Sequence, residues 1–215
     1  MINELEKRIL SSIIILPFSF FFIIKGSEFF AFFLIITFFI VSYEWFTMNK
    51  KQSFIKLIGI IFLLLSFYCA YLLRQEKGFD FFIFVIFISI FTDIGGYFFG
   101  KFLKGPKLTK VSPNKTFSGM FGGFLLSIIG GMLLVKFFMD SSTINILETF
   151  NILIVILIIS LISQLGDLTI SYFKRKSKVK DTGKILPGHG GLLDRVDGII
   201  FAVPFSYLIA NYFNL

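Results

Sequence analysis

Residues 163–198 read SQLGDLTISYFKRKSKVKDTGKILPGHGGLLDRVDG, the most polar stretch of a very apolar chain. The stretch starts inside a hydrophobic run. Ser163, Asp167 and Ser171 recur every four residues there, so a helix places them on one face. Lys174 and Arg175 follow where that face leaves the apolar run. Beyond them come Lys176, Lys178, Lys180, Asp181 and Lys184, a Pro-Gly break, His189 between glycines, and Asp194-Arg195-Val196-Asp197. Seven basic and three acidic side chains lie between Lys174 and Asp197. Acids and bases interleaved around glycines suit a metal ion and phosphates better than a plain basic patch.

The rest of the chain says where such a site sits. Mean hydropathy is +0.87 and 56% of the 215 residues are hydrophobic, with 33 Phe. Soluble domains hold roughly 45–50% apolar residues. A bilayer core needs about 20 apolar residues per helix, and this chain offers several such runs in succession. The expectation is an all-α, polytopic integral membrane protein with about seven transmembrane helices, near 8–25, 27–47, 54–74, 79–101, 117–138, 147–173 and 197–214. It is expected to form one membrane-embedded unit over 1–215, with N-terminal helices in 1–78 and the catalytic part in 79–215. With the N-terminus in the cytoplasm, 17 of the 21 basic residues fall on the cytoplasmic side; Lys25, Arg74, Lys77 and Lys136 do not. That asymmetry is the positive-inside pattern. The first run lacks a small-x-small cleavage site and reads as a retained anchor. The net charge of +8 suits anionic headgroups and phosphorylated substrates. A nucleic-acid partner is not expected, because no soluble basic module is present to hold one. The single Cys69 lies in an apolar run and reads as a small buried hydrophobe.

Individual spans differ in what they carry. The second has Thr37 and Glu44 seven residues apart, and Glu44, one turn from the span's cytoplasmic end, is expected at the membrane interface. The third is featureless and reads as packing. In the fourth, Ser89, Asp93 and Tyr97 recur every four residues beside Gly95, Gly96 and Gly100. An aspartate in an apolar helix must face protein, water or a cation. The loop that follows contains Ser112-Pro113-Asn114-Lys115-Thr116, which opens the fifth span. A helix start with free N–H groups, hydroxyls and a lysine can hold phosphate, although the Walker A glycine spacing is missing. The glycines of the fifth span read as close helix packing.

Asp93, Lys115, Asp167 and the 174–197 loop all gather on the cytoplasmic side under this topology. Hard carboxylates converging on phosphates usually hold Mg²⁺. With one Cys and one His in the chain, no zinc cluster can form. Asp167 and Asp194 are the expected metal ligands, with Asp197 supplying a third oxygen. An ion pair between Lys174 and Asp167 is the competing structural explanation.

The run KR-x4-KD-x-G-x3-PGHGG-x2-DR-x-D, at 174–197, resembles the signature of the CDP-diacylglycerol synthases, or phosphatidate cytidylyltransferases, which covers about 166–198 here. The SQxGD segment before it, SPNKT-x2-G and the Asp93-Gly96-Tyr97 region are similar to that family's other hallmarks. The resemblance implies the reaction CTP + phosphatidic acid → CDP-diacylglycerol + pyrophosphate, with Mg²⁺, at the cytoplasmic face of a bacterial-type inner membrane. It also implies a homodimer. By position it makes Asp167 and Asp194 metal-binding carboxylates, with Asp197 assisting. Lys115, Lys174, Arg175 and Lys180 would contact the triphosphate or phosphatidate. Asp181 would bind metal or fix Lys180, and Arg195 completes the catalytic set. Asp93, Ser112, Asn114, Lys115 and Thr116 would line the substrate site. The glycines around His189 (Gly188, Gly190 and Gly191) would let backbone wrap a phosphate or ribose. His189 itself is not assigned as a general base, since it can equally cap the loop or donate to phosphate. A phosphate monoester is already anionic at pH 7 and asks for charge neutralisation and in-line positioning more than for a base. Two alternatives use overlapping parts. Another CTP-dependent lipid enzyme, a polyprenol kinase or an archaeol-type cytidylyltransferase, would act on a different lipid. A cation-coupled transporter built on Asp93 and Asp167 would leave the phosphate-suited loop without a use.

Overall fold

The computed structural model describes residues 4–50, 52–109, 112–138, 146–186, 188 and 190–212. His189, and Lys51 and Lys110 among the cytoplasmic-side charges, lie outside the described residues. The elements are α1 (Glu4–Lys25), α2 (Ser27–Met48), α3 (Ser53–Glu76), α4 (Gly78–Leu103), α5 (Phe117–Phe138), α6 (Ile146–Lys176), α7 (Leu193–Val196) and α8 (Ile199–Tyr212). Among the described residues no strand forms; two isolated bridges, Lys107–Thr116 and Leu186–Gly190, pin loops.

Among the described residues, five helices are long and apolar enough to cross a membrane: α2, α3, α4, α5 and α6. Seven spans were expected. Neither of the two outermost expected spans is among those five. α8 has 14 residues, about 21 Å of helix against a core of about 30 Å. α1 and α2 are separated by Gly26 alone, whose φ of 66° belongs to the left-handed region that glycine tolerates. The chain is an all-α polytopic integral membrane protein. Its outer surface is what lipid would cover: Phe39, Phe121 and Leu208 are each more than 60% exposed.

Two buried clusters hold the bundle, and both join helices from either side of residue 78. One gathers Phe30, Leu73, Ile88, Ile156, Ile159 and Val203 from α2, α3, α4, α6 and α8. The other gathers Val41, Trp45, Leu63, Ile170, Leu193 and Ile200 around α7. The closest pair is α4 against α5, and its glycines are the reason. A Cβ added at Gly95 would fall on the Gly122 carbonyl oxygen, and one at Gly119 would lie 2.6 Å from the Gly96 oxygen. Without a hydrophobic drive between helices in lipid, such backbone approach supplies the packing. A buried polar tie links α4 to α6, where the Thr92 hydroxyl donates to the Ile88 carbonyl and lies 2.8 Å from Ser160 Oγ.

Candidate active site

The loop between α4 and α5 folds back as a short hairpin. Leu108 N–H donates to the Lys115 carbonyl at 2.8 Å, and Phe117 N–H to the Pro106 carbonyl at 3.1 Å. Thr116 then caps α5: its hydroxyl oxygen accepts the Gly119 N–H at 3.1 Å, the usual work of a threonine at a helix start. With both ends of the hairpin fixed, the Lys115 side chain crosses to α6 and forms an ion pair with Asp167 Oδ2. Asp167 Oδ1 accepts the Ser171 hydroxyl at 3.3 Å, as their shared helix face requires.

Lys115 and Asp167 lie at a cavity of about 310 Å³ between α4, α5, α6 and the hairpin. Asp93, Ser112, Asn114 and Thr116 line the same cavity, so the sequence-derived residues of the α4–α5 region converge there. Gln164 and Tyr97 also line it, and Tyr97 is 69% exposed on the outer face of α4. The cavity therefore opens beside a lipid-facing surface.

Asp197 packs against α6 next to Asp167, without lining the cavity itself. Gly166 makes this possible, since a Cβ there would lie 2.8 Å from the Asp197 carbonyl oxygen. Asp197 is 8% exposed, and its Oδ1 accepts the Gly198 N–H at 3.0 Å. Burial pushes its carboxyl well above the ordinary range, and the negative charges of Asp167 and Asp93 push it further. Asp93, Asp167 and Asp197 thus share one electrostatic neighbourhood.

Lys174 and Asp194 form the second ion pair, at 2.8 Å from Nζ to Oδ1. Asp194 Oδ2 accepts Thr182 N–H at 2.8 Å, the Thr182 hydroxyl at 3.0 Å and Gly191 N–H at 3.1 Å. Burial pushes this carboxyl up, but Lys174 and the backbone donors outweigh it and hold it below the usual range. Asp194, expected as a metal ligand alongside Asp167, thus accepts protein donors on both oxygens, as Asp167 does from Lys115 and Ser171. Nor does the Lys174–Asp167 pair form. Seven helical residues rise about 10 Å along the axis, so Lys174 reaches across to α7 while Lys115 takes Asp167.

Arg175 in the last turn of α6, Lys180 and Asp181 on the loop and Arg195 in α7 are exposed, and none of them lines the cavity, nor do Lys174 and Asp194. Gly188 and Gly190 have φ of 77° and 86°, and Gly190 packs beside Asp181 and Asp194. Gly191 lies against Thr182 and Glu44.

Glu44 corrects the reading from sequence. It was expected at the interface, yet it is 1% exposed and accepts hydrogen bonds from Leu192 N–H and Leu193 N–H. A short loop of backbone donors replaces interfacial water. Thr182 was also missed: a lone threonine between Asp181 and Gly183 carries no signal in sequence.

The oxygens around the cavity fit Mg²⁺ in the manner of a shared site. Among the described residues no three carboxylate, imidazole or thiol groups stand close enough to form a complete protein cage. Mg²⁺, however, is typically held by one or two carboxylates, waters and substrate phosphates. Two further observations favour a cation here. The described ion pairs are Lys115–Asp167 and Lys174–Asp194, so neither Asp93 nor Asp197 is in one. Ser163 Oγ, packed where a Cβ on Gly198 would fall, is buried and has no hydrogen-bond partner.

Comparison with known proteins follows the same residues. A phosphatidate cytidylyltransferase of Brucella suis is 41% identical over 145 residues, covering 66% of this chain and 52% of the relative. One of Staphylococcus epidermidis is 38% identical over 172 residues, covering 78% of this chain and 64% of the relative. The chain spans about half to under two thirds of the length of these relatives. Residues 53–213, from the start of α3 past the end of α8, match the model of the cytidylyltransferase family. Hairpin, cavity and 174–197 loop all fall within that match, and the chain belongs to the cytidylyltransferase family.

Proposed function

We propose that this protein transfers the cytidylyl group of CTP to phosphatidic acid, releasing pyrophosphate and leaving CDP-diacylglycerol in the membrane. A phosphate oxygen of phosphatidate attacks the α-phosphorus of CTP, and the bond from that phosphorus to the bridging α–β oxygen breaks. The lipid's phosphate is already anionic, so no protein base has to remove a proton. What the reaction needs is neutralisation of crowded phosphate charge and an in-line approach.

The observation that carries the reading is the cavity itself. It places Lys115, Asp93 and Asp167 together beside the lipid-facing side of α4. One of its flanks is open to acyl chains and the other is lined with polar hairpin groups. Lys115 would leave Asp167 for a phosphate oxygen when nucleotide enters. Ser112, Asn114 and Thr116 would contact the triphosphate from the hairpin. Lys174, held by Asp194, would neutralise a second phosphate. Asp167 and Asp197 would hold Mg²⁺, with Asp93 close by. A bound Mg²⁺ would stabilise the charge that develops on the departing pyrophosphate. Asp194 serves this arrangement by fixing Lys174 and the loop. The charge asymmetry of the loops supports a site facing the cytoplasm.

Purified protein in detergent, given CTP, Mg²⁺ and phosphatidate, is expected to form CDP-diacylglycerol. A product made equally well when ATP replaces CTP would overturn the proposal, as would turnover only with a lipid alcohol.

A further inference from the structure

The inner end of α2 grips the end of α6 and the 177–193 loop at several points. Trp45 meets Phe173 edge-on at 4.9 Å between ring centroids. Asn49 lies with its Oδ1 3.5 Å from the Ser177 hydroxyl. Glu44, one residue before Trp45, reaches the far end of the loop. Its Oε1 accepts Leu192 N–H at 3.0 Å and its Oε2 accepts Leu193 N–H at 2.8 Å. Oε2 also lies 3.3 Å from Thr182 Oγ1. A carboxylate this deep persists only where donors replace the water it gave up. The two glycines beside it allow that replacement. A Cβ on Gly183 would come 2.5 Å from Oε1, and one on Gly191 would come 2.6 Å from Oε2.

The hydrogen bonds continue from there into the candidate site. Thr182 has one hydroxyl proton and two carboxylate neighbours. The shorter contact, 3.0 Å, is to Asp194 Oδ2, which also accepts the N–H groups of Thr182 and Gly191. Asp194 Oδ1 in turn holds the Lys174 ammonium. Glu44 therefore touches the Thr182 hydroxyl on one side of the loop whose donors aim Asp194, and the Leu192 and Leu193 N–H groups on the other. It belongs to α2, and the family match begins only at residue 53.

We propose that Glu44 is a positioning residue for cytidylyl transfer. It fixes the backbone at Leu192 and Leu193 and the Thr182 side chain, and so sets where Asp194 holds the Lys174 ammonium at the end of α6. No contact between Glu44 and substrate is involved. The inference rests on the activity proposed above, and a misplacement of about 1 Å at a phosphate-binding group can cost about 100-fold in rate.

The informative variants are Glu44→Gln, Thr182→Val and Thr182→Ser. Gln keeps the shape of Glu44 but turns an NH₂ toward backbone donors. Glu44→Gln is expected to lower kcat about 100-fold while KM for CTP changes less than about 3-fold, the pattern of a lost transition-state alignment. Thr182→Val should lose about 10-fold or more in kcat, and Thr182→Ser, which keeps the hydroxyl, should recover most of that loss. Hydrogen–deuterium exchange of the 182–193 segment should be faster in Glu44→Gln than in wild type. Wild-type kcat in Glu44→Gln, or unchanged exchange in that segment, overturns the inference. If Glu44→Gln does not fold, the threonine pair decides, and equal activity of Thr182→Val and Thr182→Ser overturns it. A wild-type protein that forms no CDP-diacylglycerol defeats the activity proposal instead, and the exchange comparison then decides the loop-fixing role alone.

Discussion

The Lys174 ammonium stands 2.8 Å from Asp194 Oδ1, tying the last turn of α6 to α7. Both side chains are largely out of solvent, at 16% and 8% exposure. Removing either partner strands the other charge in a poorly hydrated place, which costs more than the pair gains. Lys174→Ala and Asp194→Asn should each lower thermal stability in detergent. The double variant should be milder than the sum, with a coupling of about 1–3 kcal/mol. Additive losses would show that the pair contributes nothing beyond its separate side chains.

Asp197 offers a test of metal binding that does not depend on turnover. Its carboxyl is crowded by burial and by Asp167 and Asp93. Without metal, Asp197→Asn should therefore match or exceed the wild-type melting temperature near pH 7.5. Added Mg²⁺ should raise the wild-type melting temperature, since a ligand that binds only the folded state stabilises it. The same Mg²⁺ should leave Asp197→Asn and Asp167→Asn nearly unmoved, and both should lose almost all turnover. A full Mg²⁺ shift in either variant removes that residue from the ligand set.

Five of the expected spans, α2 to α6, were legible because each needs about 20 apolar residues with no water to satisfy its backbone. The α5 glycines were legible as close helix packing, although not which α4 groups they meet. Asp93 and Asp167 stood out as carboxylates within apolar runs, and the structure places both at the cavity. Partner choice was not legible. Asp167 pairs with Lys115, 52 positions earlier, rather than with Lys174 on its own helix. Glu44 is the clearest case. Its donors lie 148 and 149 residues away, and one turn from a helix end a glutamate looks the same whether it faces water or a loop. Backbone N–H groups, moreover, leave no trace in residue identity.

The loop charges predict which face carries the site. With Cys69 replaced by Ser, a cysteine at exposed Lys107 or Lys178 should react only with reagents reaching the cytoplasmic side. A cysteine at exposed Gln75, at the far end of α3, should react only from outside. Labelling of Lys178→Cys and Gln75→Cys from the same side would contradict the topology.

The central claim is that the cavity makes a bond to the α-phosphorus of CTP, and an isotope placed in the nucleotide reads this directly. The purified protein would be given phosphatidate, Mg²⁺ and CTP labelled with ³²P at either the α or the γ position. Label from the α position should enter the lipid fraction, and label from the γ position should leave entirely as pyrophosphate. Label from the γ position in the lipid, with none from the α position, would mean phosphoryl transfer by a lipid kinase and would contradict the account.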